Sequence, residues 1–228
     1  MDPTIPLQSH TPSRAEQLIK KALIWVRTHQ EQFWAIAGTI AGVALLVYFM
    51  VHRREVENEE AWVQLGMSHQ MVLQGQNDQA AKSLDAWFAR FSGTSAATYA
   101  NFIRADLLYN TTHYADAAGA YGTIAQTGQP VPLRPLALSA QCAAQEMAGK
   151  YADAAATAQQ FIDRYPDHFM AAAMYITQAR LAEIAGNVAN ATAIYDRFVV
   201  LYPQSPWTAF ARARLQSLSA IAPPAVKK

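Results

Sequence analysis

GKYADAAATAQQFIDRYP at residues 149–166 and GNVANATAIYDRFVVLYP at residues 186–203 are two copies of one pattern, 37 residues apart. Each opens on a glycine, which closes a preceding helix because it accepts a left-handed backbone. Each places a small residue, Ala154 or Ala191, where two helices must approach closely. Seven positions later a large one, Phe161 or Phe198, fills the space between neighbouring units. Each ends on a proline, Pro166 or Pro203, which stops a helix. The pattern predicts a tight turn followed by the second helix of a hairpin.

The same offset extends toward the N-terminus. Ala80 and Ala117 continue the series of Ala154 and Ala191. Gly75 and Thr112 stand where Gly149 and Gly186 stand, and Trp87 and Ile124 where Phe161 and Phe198 stand. Ser68, Ala105, Cys142 and Ala179 form a fourth series, all small. GKYADA (149–154), GNVANA (186–191) and, more weakly, THYADA (112–117) resemble the turn and second helix of tetratricopeptide repeats. FIDRYP (161–166) and FVVLYP (198–203) resemble the end of that helix, and WVQLG (62–66) resembles the repeat's opening. That repeat usually has a period of about 34 residues, so these units carry longer connections. One such hairpin cannot bury its apolar face alone, so units stack. The resemblance implies an all-α fold: a right-handed superhelix of about four hairpins over residues 55–219. A capping helix over Trp207–Leu218 would close it, with Ser205 as N-cap and Pro206 at the first position. Its apolar stripe would be Trp207, Phe210, Ala211, Leu215 and Leu218, with Arg212 and Gln216 outside.

Upstream, residues 33–51 read FWAIAGTIAGVALLVYFMV, 19 residues without a charge. As a helix they would extend about 28 Å, close to the bilayer core. A buried core helix rarely lacks a polar face for so long, and a cleaved signal peptide has a shorter apolar core. A single transmembrane helix is therefore expected. Arg14, Lys20, Lys21 and Arg27 precede it and only Arg53 and Arg54 follow it closely, which favours a cytoplasmic N-terminus. Residues 13–32 read as an amphipathic helix on the cytoplasmic surface or, alternatively, as a solvated extension of the membrane helix. It would open with a capping box at Ser13 and Glu16 and carry Ala15, Leu18, Ile19, Ala22 and Val26 on one face. Gly38 and Gly42 form a GxxxG spacing that lets another membrane helix approach. Residues 1–12 and 220–228 read as disordered ends.

Hydrophobic residues make up 52% of the 228 and charged residues 15%, with a net charge of +1. That balance fits a chain partly in lipid and argues against nucleic-acid binding. A single cysteine, Cys142, excludes an internal disulfide, and its place in the small-residue series makes it a packing residue. The six histidines show no metal-ligand spacing, and no nucleophile elbow, phosphate loop or dinucleotide fingerprint is present. Neither a cofactor nor enzymatic activity is expected. Function should then reside in a surface for protein partners. In such hairpins the first helices line the binding face, and the candidates on them are Tyr99, Phe102, Asp106, Tyr109, Glu146, Arg180 and Glu183.

The whole arrangement, a short basic helix, one span and four outward repeats, resembles the YfgM-like family, the ancillary subunits of the Sec translocon. Membership implies an inner-membrane protein with a periplasmic repeat domain. It would link the translocon to periplasmic chaperones and secreted clients. The F-x-x-x-Y-P endings also resemble repeat proteins of outer-membrane assembly and of the Tol–Pal system. Those are lipoproteins or soluble periplasmic proteins, and this chain shows no lipobox cysteine near its N-terminus. An accessory subunit of another envelope complex is thus the alternative.

Overall fold

A computed structural model describes residues 14–221. The disordered ends expected at 1–12 and 222–228, and the Ser13 of the capping box, lie outside the described residues. Those described form ten helices and no strand. The chain divides into two compact units, Met1–Val56 and Glu57–Lys228.

In the first unit α1 spans Arg14–Thr28, and α2 begins at Gln30. The amphipathic helix expected over 13–32 therefore stops four residues early, at a break on His29 whose ring stacks on Trp25 at 5.2 Å. Leu18 and Ile19 on α1 are exposed. The apolar window of α2 has a mean hydropathy of 2.1, and none of it is buried. Ile40, Leu45, Leu46 and Phe49 all face outward. A soluble core helix would be covered; this one has the length and composition to cross a membrane. Around Gly38 and Gly42 an added Cβ would meet nothing.

Helix α2 does not end at Arg53–Arg54. It runs to Leu73, because residues 52–65 contain neither glycine nor proline and are rich in Glu and Arg, good helix formers. Its last part, from Glu57, is the first helix of the first hairpin.

The second unit adds α3 (Asn77–Phe91), α4 (Ala97–Asn110), α5 (Tyr114–Thr127), α6 (Leu133–Met147), α7 (Tyr151–Arg164), α8 (Ala171–Ile184), α9 (Val188–Leu201) and α10 (Thr208–Ile221). Consecutive helices from α3 to α10 pack on each other. Four turns join the two helices within each hairpin, and each has a residue at positive φ: Gly75 (71°), Thr112 (65°), Gly149 (73°) and Gly186 (72°). The hydrogen bonds repeat too. Gly149 N–H donates to Glu146 O and Lys150 N–H to Gln145 O, while Thr112 N–H donates to Tyr109 O and His113 N–H to Leu108 O. This paired closure satisfies carbonyls that the helix end leaves open. The proline stops hold: α7 ends before Pro166 and α9 before Pro203.

The repeat positions read from the sequence form the core. Ala80, Ala117, Ala154 and Ala191 are fully covered, as are Phe161 and Phe198; Trp87 and Ile124 are buried. Ser68, Ala105, Cys142 and Ala179 are buried on the partner helices. In the first hairpin Trp87 Nε1–H donates to Ala61 O at 2.8 Å, and the hydroxyls of Ser68 and Ser83 meet at 2.7 Å. Such pairings remove the cost of burying polar groups.

Helix α10 starts at Thr208, so Pro206 is not its first residue and Ser205 is not its N-cap. Both lie in the preceding turn, where Trp207 N–H donates to Ser205 Oγ at 3.3 Å and Thr208 Oγ1–H to Tyr202 O at 2.7 Å. The turn at 165–170 has the same layout, with His168 N–H donating to Tyr165 O and Ala171 N–H to His168 O. The segment is thus the repeat's own connection, carried once more into the cap. Ala211 and Leu218 are buried while Arg212 and Gln216 are exposed, as the stripe requires. Trp207 and Phe210 remain partly open, and α10 includes residues 220 and 221, which had read as tail.

Candidate functional site

The first helix of each hairpin presents one face at helical spacing. On α2 it is Trp62, Leu65, Gly66 and His69; on α4, Tyr99, Phe102, Ile103 and Asp106. These two sets differ by 37 residues at every position. The same offset gives Leu136, Ser139, Ala140 and Ala143 on α6, and on α8 Ala173, Ile176, Thr177 and Arg180. Periodicity thus aligns four equivalent faces.

They enclose two hollows. One, of about 280 Å³, lies among α2, α4 and the start of α6 and is walled by Trp62, Tyr99, Phe102, Ile103, Leu133 and Leu136. The other, of about 520 Å³, lies among α4, α6 and α8, with Ser139, Ala140, Met170 and Met174 in its wall. Phe102 and Leu136 border both, so the hollows form one groove. Its lining is overwhelmingly apolar. Trp62 meets Tyr99 edge-on at 4.9 Å, and Phe102 meets Tyr121 edge-on at 5.3 Å. These contacts hold the aromatic walls in place.

One acid stands on each of α4, α6 and α8. Asp106 Oδ1 accepts from the Tyr121 hydroxyl at 2.5 Å. Burial pushes its carboxyl above the usual range, against the pull of the Tyr121 hydrogen bond and of nearby His69. Glu146 is gripped by Arg180 of α8 through two hydrogen bonds, one of 2.7 Å. Glu183 is gripped by Arg214 of α10, with Nε–H donating at 3.2 Å, and also accepts from the Tyr195 hydroxyl at 2.7 Å. The Arg214 hydrogen bonds hold the Glu183 carboxyl below its ordinary value.

Of the residues singled out in the sequence, Tyr99, Phe102 and Asp106 come together in the smaller hollow, and Glu146 lines the larger. Arg180 is committed to Glu146. Tyr109 packs on Tyr114 at 5.2 Å and Glu183 on Arg214, and neither lines a hollow. Trp62, Leu65, Leu136, Met170 and Met174 were not singled out. Applying the 37-residue offset to Tyr99 and Phe102 yields Trp62, Leu65 and Leu136.

The tetratricopeptide repeat family matches residues 73–132 and 145–206, together just over half the chain. The chain belongs to that family. No curated protein matches it significantly. The tetratricopeptide match takes in all four hairpin turns, while nearly all of the first helix of the first unit, with Trp62 and Leu65, lies ahead of it. Tetratricopeptide domains mediate protein–protein interaction, and the groove here has the apolar character such a surface needs. Cys142 at its back is buried, its Sγ–H donates to Ala154 O at 3.3 Å, and burial pushes its thiol up to about 12. A thiol so held is unreactive at neutral pH. Among the described residues no three His, Cys, Asp or Glu side chains are grouped to hold a metal ion.

Proposed function

We propose that this is a membrane-anchored, non-enzymatic scaffold that holds a protein partner in the groove of its tetratricopeptide units. The observation that carries the reading is the single apolar groove, with Tyr99, Phe102 and Asp106 in one hollow and Glu146 in the next. Arg180 braces Glu146 from behind, and Tyr109 and Glu183 hold the flanking turns and units in register. The uncovered apolar helix beginning at Trp34 anchors the chain in the inner membrane. The excess of basic residues before it puts the N-terminus in the cytoplasm and the repeats in the periplasm. The resemblance to the YfgM-like family then supports a place beside the Sec translocon, handing secreted clients to periplasmic chaperones.

Affinity purification in mild detergent, comparing the wild type with a Leu136→Arg variant that fills the groove, tests this reading. Translocon subunits and envelope chaperones should be enriched with the wild type, and at least one partner should be lost with the variant. Enrichment of another envelope complex in their place, such as outer-membrane assembly or Tol–Pal components, favours the accessory-subunit alternative. Identical partner sets from both proteins would overturn the groove as the binding surface.

A further inference from the structure

The acids on α4, α6 and α8 differ in their partners: Glu146 and Glu183 share one repeat position, occupied on α4 by Tyr109, and Asp106 stands three residues before it. Glu146 of α6 is neutralised by Arg180 of α8, and Glu183 of α8 by Arg214 of α10. Asp106 of α4 has no such partner: among the described residues no cation lies within ion-pair distance of it. From α6 the hollow of Asp106 receives only Leu133 and Leu136, and Ala140 and Ala143 line the neighbouring one. The charged residues of α6 are Arg134, whose Nε–H is given to Gly128 O at 2.9 Å, and Glu146. At the positions equivalent to Asp106 stand His69, Ala143 and Arg180. The acid is half-buried, and its Tyr121 hydrogen bond supplies no net charge. Around it the hollow is largely aromatic and aliphatic, with Trp62, Tyr99 and Phe102 in the wall beside His69.

A lysine or arginine side chain has the matching chemistry. Its aliphatic stem packs against apolar surface while its head keeps a polar partner, and aromatic rings attract the same cation. We infer that the groove recognises a protein segment in which a single lysine or arginine is flanked by apolar residues, the cation entering the smaller hollow to pair with Asp106. This deepens the proposed function and rests on the groove being its binding surface. Acidic segments are disfavoured, because Asp106 and Glu146 line the hollows and Arg180 is already held by Glu146.

The test uses the full chain in detergent micelles against an array of twelve-residue peptides built from Leu, Ala and Met. One central position is varied among Lys, Arg, norleucine, Gln and Glu. The Lys and Arg peptides should bind about tenfold more tightly than the norleucine peptide. In an Asp106→Asn variant, which keeps an acceptor for Tyr121, that preference should vanish while norleucine binding stays as it was. Equal binding of Lys and norleucine peptides, or a preference that survives Asp106→Asn, overturns the inference but leaves the groove. Absence of binding by every peptide, or binding that Phe102→Ala does not weaken, overturns the groove reading itself. Each variant is first shown to retain the helical signal and cooperative melting of the wild type.

Discussion

Thr112 occupies a place that glycine occupies in the other three turns, at a φ of 65°. A β-branched side chain there is strained, since its Cβ crowds the following carbonyl. Replacing it with glycine should stabilise the protein by roughly 0.5–1 kcal/mol, the relief being partly offset by the added freedom of the unfolded chain. Gly149→Ala should do the reverse by about 1 kcal/mol; nothing lies near the added Cβ, so the cost is in the backbone alone. Urea denaturation of the purified variants measures both, and equal midpoints for all three proteins would contradict the turn geometry. Asp106 and Glu183 make an opposed pair. The Glu183 carboxyl is held below its ordinary 4.5 by Arg214. It therefore stabilises the fold above that pH and ceases to do so as pH falls through the lowered value. Asp106 is raised above 3.8, so its ionisation costs stability as pH rises through its folded value. Asp106→Asn should raise the melting temperature at pH 7 and leave it unchanged well below pH 3.8, the cost of keeping a functional acid. A melting temperature lowered at pH 7 would contradict an unneutralised carboxylate. The turn glycines and core alanines were legible in the sequence because each has one backbone or packing role repeated at a fixed offset. The pairing of Arg180 with Glu146 was not, because it depends on which turn of α8 faces α6.

At the scale of helices and hairpins, the small-residue series sets how closely paired helices pack. Ala154 and Ala191 are fully covered, so a leucine at either should overpack its hairpin and cost about 1–3 kcal/mol. Phe161→Ala would open a cavity and cost roughly 3–5 kcal/mol. Thermal unfolding of each variant checks these values, and unchanged transitions for Ala154→Leu and Ala191→Leu would overturn the register. Helix ends were less legible than helix identity. Arg53–Arg54 marks where an apolar run stops, yet the backbone has no reason to stop there, and α2 continues into the first hairpin. Ser205-Pro206 has the composition of a helix start, but the repeat's own connection claims it. The exposed face at Gly38 and Gly42 is open to a second membrane helix. If that helix belongs to the partner, changing both to leucine should weaken co-purification by about 0.6–2 kcal/mol while membrane insertion is retained. A wild type, a double-leucine variant and a chain with a foreign span recovering equal partner would reduce the span to a tether.

For the whole molecule, the proposed function requires a membrane anchor, a repeat domain outside the cytoplasm and a groove that receives a protein segment. Protease added to spheroplasts should degrade the chain beyond residue 57, where the repeat unit begins, and leave the preceding segment intact. Complete protection of the repeats would reverse the orientation. The groove itself is tested most directly by contact. A photoreactive phenylalanine analogue placed at position 102, which borders both hollows, and in a second protein at Ala156, exposed on the second helix of the third hairpin, can be irradiated in intact membranes. Protein adducts should form at 102, be absent at 156, and disappear from 102 when Leu136→Arg fills the groove. Equal adducts at both positions, or adducts at 102 that persist with Leu136→Arg, would contradict a partner seated in the groove.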